Sequence, residues 1–143
     1  MLDNMTLYTG GTFDLFHYGH MSFLRNCKKL CSNVVVSLNT DNFVCSYKGK
    51  KPIMNTEERR NSIKLFDPEI KVVENIGGQD SKPAINMVNP NIIAIGDDWR
   101  KKDYYSQMNF TQEWLDINGI LLVYLPYTKT ISSSEIRQRI LND

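Results

Sequence analysis

Residues 5–20 read MTLYTGGTFDLFHYGH, a short apolar run followed by two glycines and a pair of histidines. The run Met5–Thr9 predicts a β-strand, and the apolar spacing over His17–Leu30 predicts an α-helix. Gly10 and Gly11 lie between the two elements, where glycine lets the backbone come close to a ligand. The N–H groups at a helix N-terminus are free and favour an anion. This stretch therefore predicts a βα unit with an anion-binding turn.

The rest of the chain continues the alternation of strands and helices. Such alternation predicts right-handed βαβ units. We expect an α/β fold with residues 1–143 forming a single Rossmann-like domain, in which helices flank a mostly parallel five-stranded sheet in three layers. Thr40–Asn55 is predicted to be a loop. The further predicted strands are Asn33–Asn39, Ile70–Val73, Ile92–Ile95 and Leu121–Leu125. Two further predicted helices are Ser81–Val88 and Phe110–Ile117. Another helix is capped by Thr56 and ends near Phe66, and a last one begins at Ser132 with Glu135 in a capping box.

Composition excludes several classes of protein. Lys and Arg number 17 against 16 Asp and Glu, so net charge +1 provides no general attraction for nucleic acid or an anionic membrane. Apolar runs all fall short of the ~18 residues of a membrane span, and the N-terminus lacks a signal-peptide pattern. We therefore expect a cytoplasmic protein without nucleic-acid or membrane partners. Three cysteines without a secretion signal predict reduced thiols.

Unusual residues concentrate where the predicted strands end. In parallel sheets the ligand lies beyond the carboxyl ends of the strands, at a switch in strand order. Four segments should therefore converge there: Gly10–His20, Asn39–Pro52, Gly96–Lys102 and Tyr127–Ser134.

His17 and His20 are the two histidines of the chain, and their spacing puts them on one helical face. With Gly19 leaving room between them, we expect a small cationic pocket for a phosphoryl group. The turn is neither a Walker A loop nor GxGxxG. A metal pair would need third and fourth ligands beyond Asp14, so nucleotide phosphate is favoured over a metal or incidental surface histidines.

Gly11–His20, in the form G-T-F-D-x-x-H-x-G-H, resembles the signature of the HxGH nucleotidyltransferase superfamily and its cytidylyltransferase branch. Within that branch the chain is most similar to the glycerol-3-phosphate cytidylyltransferases. The resemblance extends over nearly the whole chain and includes Lys48-Gly49-Lys50, Glu58-Arg59, Gly96-Asp97-Asp98-Trp99 and Ile131-Ser132-Ser133-Ser134.

The resemblance implies in-line transfer of CMP from CTP to a small phosphorylated alcohol, with glycerol 3-phosphate first among the acceptors. It implies Mg²⁺ bound with CTP, no metal site on the protein, and a homodimer with apolar residues near Trp114 or Tyr104-Tyr105 at the interface. It assigns catalysis to His17, His20 and Lys50, nucleotide binding to Gly11, Thr12, Phe13, Asp98, Thr128, Ile131, Ser132 and Ser133, and acceptor binding to Lys48, Arg59 and Lys82.

Three positions depart from the family pattern. Tyr127 replaces an arginine, Thr130 replaces a glycine, and Asp67 replaces a basic residue. Lys129 or Arg100 could supply the first missing charge, and Lys64 or Lys82 the second. Four hypotheses therefore remain: cytidylyl transfer to glycerol 3-phosphate, cytidylyl transfer to another phosphorylated acceptor, adenylyl transfer, and nucleotide binding without catalysis.

Overall fold

The computed structural model describes residues 2–143, and five parallel strands form its central sheet in the order β3-β2-β1-β4-β5. The α/β prediction is confirmed, and the sheet is parallel throughout rather than mostly parallel. The strands are β1 (Leu2–Gly11), β2 (Cys31–Leu38), β3 (Lys71–Glu74), β4 (Ile92–Gly96) and β5 (Leu121–Leu125).

Helices cover both faces of this sheet, as the three-layer prediction requires. Alternate strand residues enter two hydrophobic clusters: Leu7 belongs to the cluster on one face, whereas its neighbour Tyr8 belongs to the cluster on the other. Both strand faces are thereby buried, which explains the nearly continuous apolar runs. The helices are α1 (Tyr18–Leu30), α2 (Asp41–Lys48), α3 (Thr56–Phe66), α4 (Lys82–Val88), α5 (Tyr104–Met108), α6 (Gln112–Ile117) and α7 (Ser133–Leu141), with a 3₁₀ turn over Asp97–Lys101.

Strand order reverses at β1, which pairs with β2 on one side and β4 on the other. The connection from β1 returns to β2, while β4 and β5 extend the sheet in the opposite direction. A crevice opens at such a point because the two connections leave on opposite sides of the sheet. The functional residues can therefore be sought at the carboxyl ends of β1 and β4.

The predicted loop Thr40–Asn55 contains a helix that we did not expect. Thr40 caps α2 by accepting a hydrogen bond from the Phe43 N–H, and Val44 anchors the helix in the core. Gly49 ends it with a left-handed φ of 76°. These cap signals were present in the sequence, but the polar and glycine-containing segment favoured a loop. The short helix α5 and the 3₁₀ turn were also not predicted.

Two predicted caps differ in detail. Asn55, not Thr56, caps α3 and forms a capping box with Glu58. Ser132 caps α7 by accepting from the Glu135 N–H at 3.1 Å, but the Glu135 carboxylate accepts from Arg139 instead of closing a box.

The three cysteines are free thiols, as expected, but Cys31 begins β2 rather than extending α1. Burial raises the pKa of Cys27 to about 12, so this thiol is inert at neutral pH. Within residues 2–143, no helix combines the length and apolar character that a bilayer crossing requires.

Candidate active site

A pocket of about 220 Å³ opens between the carboxyl ends of β1 and β4, and we call it the histidine pocket. Its walls come from the turn after β1, the Gly96 turn after β4, and the start of α7. The structure thus brings together eight of the predicted site residues around one cavity: Phe13, His17, His20, Asp98, Thr128, Ile131, Ser132 and Ser133.

The two histidines cap their own helix. The Nδ1 atom of His17 accepts a hydrogen bond from the Gly19 N–H at 3.1 Å, and Nδ1 of His20 accepts from the His17 N–H at 3.2 Å. This reciprocal capping box stacks the rings with centroids 3.8 Å apart. Because each Nδ1 accepts, each neutral ring carries its proton on Nε2. Both rings can therefore donate one hydrogen bond from Nε2.

These imidazoles are neutral at pH 7, so our prediction of a cationic histidine pair is wrong. Burial lowers the pKa of His17 below its usual 6.5. The pKa of His20 is lowered to about 3, first by burial and then by His17, against a smaller opposing effect of Asp14. Protonation would also place a hydrogen on Nδ1 and break the cap. The pair offers uncharged N–H donors rather than positive charge.

Two residues that line the histidine pocket each carry an unpaired polar atom. Nε2 of His17 and Oγ1 of Thr9 are both buried, and neither has a hydrogen-bond partner anywhere in residues 2–143. Buried polar groups in native proteins are nearly always paired, so an unpaired group at a cavity wall points to a polar ligand. The sequence reasoning missed Thr9, although the position immediately before Gly10-Gly11 could have indicated it.

Position 19 must be glycine because neighbouring atoms leave no room for a side chain. A Cβ atom at this position would lie 2.9 Å from Cε1 of His17 and 3.1 Å from Cγ2 of Ile131. The absence of a side chain therefore lets α1 pack against the segment before α7 without displacing the histidine ring. This contact explains the glycine in the H-x-G-H pattern.

Residues Gly10–His20, which we call the histidine turn, are held in an unusual backbone conformation. Phe13 and Leu15 have left-handed φ values of 55° and 52°, which residues other than glycine rarely adopt. The buried Asp14 carboxylate between them accepts hydrogen bonds from the N–H groups of Leu15, Ile53 and Met54 at 2.8–3.0 Å. Asp14 therefore fixes the turn and attaches it to the chain before α3.

The start of α7 closes the histidine pocket from the opposite side. Ser132 is its N-cap, and the Ser133 hydroxyl donates to the Asp14 carbonyl at 2.5 Å. That contact joins the helix N-terminus directly to the histidine turn. Two helix N-termini, of α1 and α7, thus reach the same pocket, and each favours an anion.

An adjoining cavity of about 560 Å³, the lysine pocket, shares Phe13, His20 and Ser133 with the histidine pocket. Lys48, Lys50 and Lys51 line it, and all three are exposed. They belong to Ser46–Pro52, the last turn of α2 and the chain that follows it, which we call the lysine loop. Flexible ammonium groups beside a phosphate site suit a polyphosphate.

Arg137 was not predicted but also lines the lysine pocket. Its guanidinium lies 3.3 Å from the Asp14 carboxylate. It follows Ser133 by four residues and so lies on the same face of α7. That spacing could have identified it. Arg137 thus brings a guanidinium to the site that carries Tyr127 in place of the family arginine.

Arg59 does not take the substrate-binding place that we predicted. Its side chain is fully buried, and all five of its N–H donors are used. The acceptors, at 2.7–3.2 Å, are the carbonyls of Thr12, Asn39 and Met54, the Asp41 carboxylate and the Thr56 hydroxyl. Arg59 therefore fixes the ends of β1 and β2 to α2 and α3 from within.

Other predicted contacts lie outside the two pockets. The Lys82 ammonium is held by Asp80 at 2.9 Å and by the Asn109 carbonyl, away from the histidines. Gly11 lies at the strand end beside Thr12, which does reach the lysine pocket. Of the two candidates for the missing arginine charge, Arg100 stacks on Tyr124 and Lys129 is exposed. Thr130, which replaces the family glycine, pairs its hydroxyl with Tyr18.

Residues 2–143 hold no group of three or more His, Cys, Asp or Glu side chains placed to bind a metal ion. Among the described residues, Asp98 is the one carboxylate that lines the histidine pocket, and it lies 3.7 Å from the Lys102 ammonium.

Comparison with known proteins matches residues 8–139 to the family model described as cytidylyltransferase-like. The chain belongs to the cytidylyltransferase-like family. It is 33% identical over 130 residues to the glycerol-3-phosphate cytidylyltransferase of Bacillus spizizenii, an alignment covering 91% of this chain and 92% of that protein. It is also 29% identical over 133 residues to the FAD synthase of Thermococcus sibiricus, covering 93% and 90%.

A solved structure supports the fold of this cytidylyltransferase-like chain. The lipopolysaccharide core biosynthesis protein of Thermoplasma volcanium superposes with a TM-score of 0.68 at 26% identity. The match covers 87% of this chain and 98% of that one. The similar proteins thus include at least two kinds of enzyme, a glycerol-3-phosphate cytidylyltransferase and an FAD synthase.

Proposed function

We propose that the protein transfers CMP from CTP to a small phosphorylated alcohol, glycerol 3-phosphate first, and releases pyrophosphate. The observation that carries this proposal is the unpaired, buried Nε2 of His17 in a pocket reached by two helix N-termini. A phosphate oxygen would satisfy that donor. Similarity to the glycerol-3-phosphate cytidylyltransferase of Bacillus spizizenii supports the choice of acceptor.

In this proposal the acceptor phosphate oxygen attacks the α-phosphorus of CTP, and the bond from phosphorus to the bridging oxygen breaks. The acceptor phosphate is already ionised at neutral pH, so the reaction requires no general base. His17 and His20 donate from Nε2 to the α-phosphate oxygens, where negative charge redistributes during transfer. Donors that are fixed beforehand stabilise such charge at little reorganisation cost.

The remaining contacts divide along the two pockets. Lys50 and Arg137 face the β- and γ-phosphates from the lysine pocket, and Lys48 faces the acceptor phosphate. Asp98 and Thr128 face the ribose and base in the histidine pocket, with the backbone of Phe13 beside the nucleotide. Magnesium enters bound to the triphosphate, since a Mg²⁺ ion held by substrate phosphates keeps several waters and needs few protein ligands.

A second candidate is adenylyl transfer to a flavin phosphate. It is favoured by the similarity to FAD synthases, because FAD is an adenylyl group joined to a flavin mononucleotide. The two candidates share the same histidine chemistry and differ in nucleotide base and in acceptor size.

Pyrophosphate release separates these candidates. The protein is incubated with Mg²⁺ and either CTP or ATP, each against glycerol 3-phosphate, ethanolamine phosphate and flavin mononucleotide, with reactions lacking acceptor as the control. We expect turnover with CTP and glycerol 3-phosphate. Turnover with ATP and flavin mononucleotide alone would contradict the proposal, and CTP binding without turnover on any acceptor would identify a binding protein.

We also propose a homodimer, following the family resemblance. Of the interface residues suggested by the sequence, Tyr104 is excluded because its side chain is 2% exposed and lies in the core. Tyr105 and Trp114 are partly exposed. Sedimentation analysis tests the proposal, and a monomer at micromolar concentration contradicts it.

A further inference from the structure

A cavity of about 190 Å³ lies at the carboxyl end of β1, beside both pockets already described. It shares Gly10, Ile95 and Trp99 with the histidine pocket and Thr12 with the lysine pocket. A small molecule held in it could therefore extend a phosphate to the place where the two pockets meet. We call this cavity the amide pocket.

The lining of the amide pocket is polar but uncharged. Asn39, Asn75, Gln79 and Gln107 bring carboxamides to it, and among the described residues that form its wall none carries a charge. Such a surface matches hydroxyl groups, because carboxamides both donate and accept hydrogen bonds. A charged group in the same place would lose hydration without gaining a counter-ion.

Two buried oxygen atoms at this wall lack partners. Oδ1 of Asn75 and Oη of Tyr104 have no hydrogen bond within residues 2–143, and their side chains belong to residues that are 8% and 2% exposed. The Asn75 amide nitrogen donates to the Gly78 carbonyl at 2.9 Å and to Asn39 Oδ1 at 3.0 Å. Because a carbonyl can only accept, the nitrogen must face Gly78, and the oxygen is left free.

The two unpaired atoms differ in the kind of hydrogen bond that each can form. The Asn75 oxygen needs a donor, whereas the Tyr104 hydroxyl can donate and is kept protonated because burial raises its pKa. A ligand hydroxyl can donate to the first and accept from the second. A primary ammonium can only donate, and a quaternary ammonium can do neither.

We propose that the amide pocket binds the polyol part of the acceptor and that Asn75 and Tyr104 select for its hydroxyl groups. This inference rests on the proposed function and defines its substrate class as a phosphorylated polyol rather than an amino-alcohol phosphate. The cavity is also smaller than the roughly 300–1,000 Å³ typical of pockets for drug-sized ligands. A cavity of this size suits a small polyol better than a larger acceptor such as a flavin phosphate.

Equilibrium binding tests the proposal without requiring turnover. Calorimetry compares glycerol 3-phosphate with n-propyl phosphate, which keeps the carbon chain and phosphate but lacks both hydroxyls. Each is measured with and without a CTP analogue whose α,β-bridging oxygen is replaced by a methylene group. We expect glycerol 3-phosphate to bind at least about tenfold more tightly, since the analogue leaves buried polar atoms unpaired.

Tyr104→Phe removes only the hydroxyl that lacks a partner. We expect it to weaken glycerol 3-phosphate binding about tenfold and to leave n-propyl phosphate binding unchanged. Its melting temperature should stay the same or rise, because an unpaired buried hydroxyl has been removed. Tyr105→Phe is the matched control: its hydroxyl donates to Gln112 at 2.8 Å away from the pocket, so both affinities should be unchanged.

Equal binding of the two phosphates by the unaltered protein would overturn the proposal. So would a Tyr104→Phe variant that binds glycerol 3-phosphate as tightly as the parent. Failure of the proposed catalytic function would appear separately, as absent pyrophosphate release in a protein that still distinguishes the two ligands.

Discussion

The histidine turn and the lysine loop both line the lysine pocket but are built in opposite ways. Apart from the exposed Tyr18, the turn is half-buried or buried, and Asp14 holds its strained backbone through three N–H groups. In the lysine loop, Lys48, Lys50 and Lys51 are all exposed. The histidine N–H donors of the turn are therefore neutral and fixed, whereas the ammonium groups of the lysine loop stay in water, where their desolvation cost is small.

A substitution that removes the Nε2 donor of His17 but keeps its N-cap should have the largest effect on catalysis. In His17→Asn, the amide oxygen can still accept from the Gly19 N–H, because asparagine is a good N-cap, but the Nε2 donor is lost. We expect kcat to fall about 10²–10³-fold, the scale observed for removal of one fixed oxyanion donor, with little change in melting temperature.

His17→Ala is the matched variant for that comparison. It removes both the donor and the N-cap. We expect the same fall in kcat and, in addition, a loss of about 1 kcal/mol in the free energy of unfolding. Near-normal turnover in His17→Asn would show that the neutral donor is dispensable.

Arg59 differs from the exposed lysines because it is a cation that is fully buried. Arg59→Met leaves three carbonyls without this donor and removes the cation beside Asp41, which keeps its hydrogen bond from the Thr56 N–H. A buried acceptor that is left unpaired costs about 1–3 kcal/mol, so three such carbonyls should lower the free energy of unfolding by at least about 3 kcal/mol.

Chemical denaturation measures that loss, and the neighbouring Arg60→Met serves as the control. Arg60 is partly exposed and pairs with Glu57 at 3.4 Å, an interaction worth about 1 kcal/mol or less. If Arg59→Met were as stable as Arg60→Met, Arg59 would not be the internal tie that its contacts indicate.

The lysine loop should give the smallest effect. Lys50→Gln removes one exposed charge, so folding stability should not change, whereas KM for CTP should rise about tenfold, equal to ~1.4 kcal/mol. The increase should shrink at high ionic strength, because salt screens exposed charges. Lys71→Gln, at an exposed position on β3, is the control. An effect of Lys50→Gln on kcat alone would contradict a role in binding phosphate.

Much of the architecture could be predicted from alternating strands and helices, and the spacing of His17 and His20 located the pocket. The protonation state of the pair could not be predicted, because it depends on burial and on the reciprocal cap. Arg59 matched the family pattern, but its burial is a tertiary property. Asn75 and Tyr104 lie in segments without any motif, and only packing brings them to the amide pocket.

The same burial links the histidine pair to stability. The unfolded chain takes up protons on both histidines near pH 6.5, whereas the folded protein does not until lower pH. Their contribution to folding stability is therefore full above about pH 6.5 and is lost as pH falls below that value.

The most direct test of the neutral donor pair is a ¹⁵N nuclear magnetic resonance titration of the imidazole nitrogens, in a chain that has two histidines. We expect both rings at pH 7 to be uncharged, with the proton on Nε2 and not on Nδ1. Both pKa values should lie below 6.5, and His20 should titrate near 3. A charged imidazolium on either ring at pH 7, or a proton on Nδ1, would contradict this assignment.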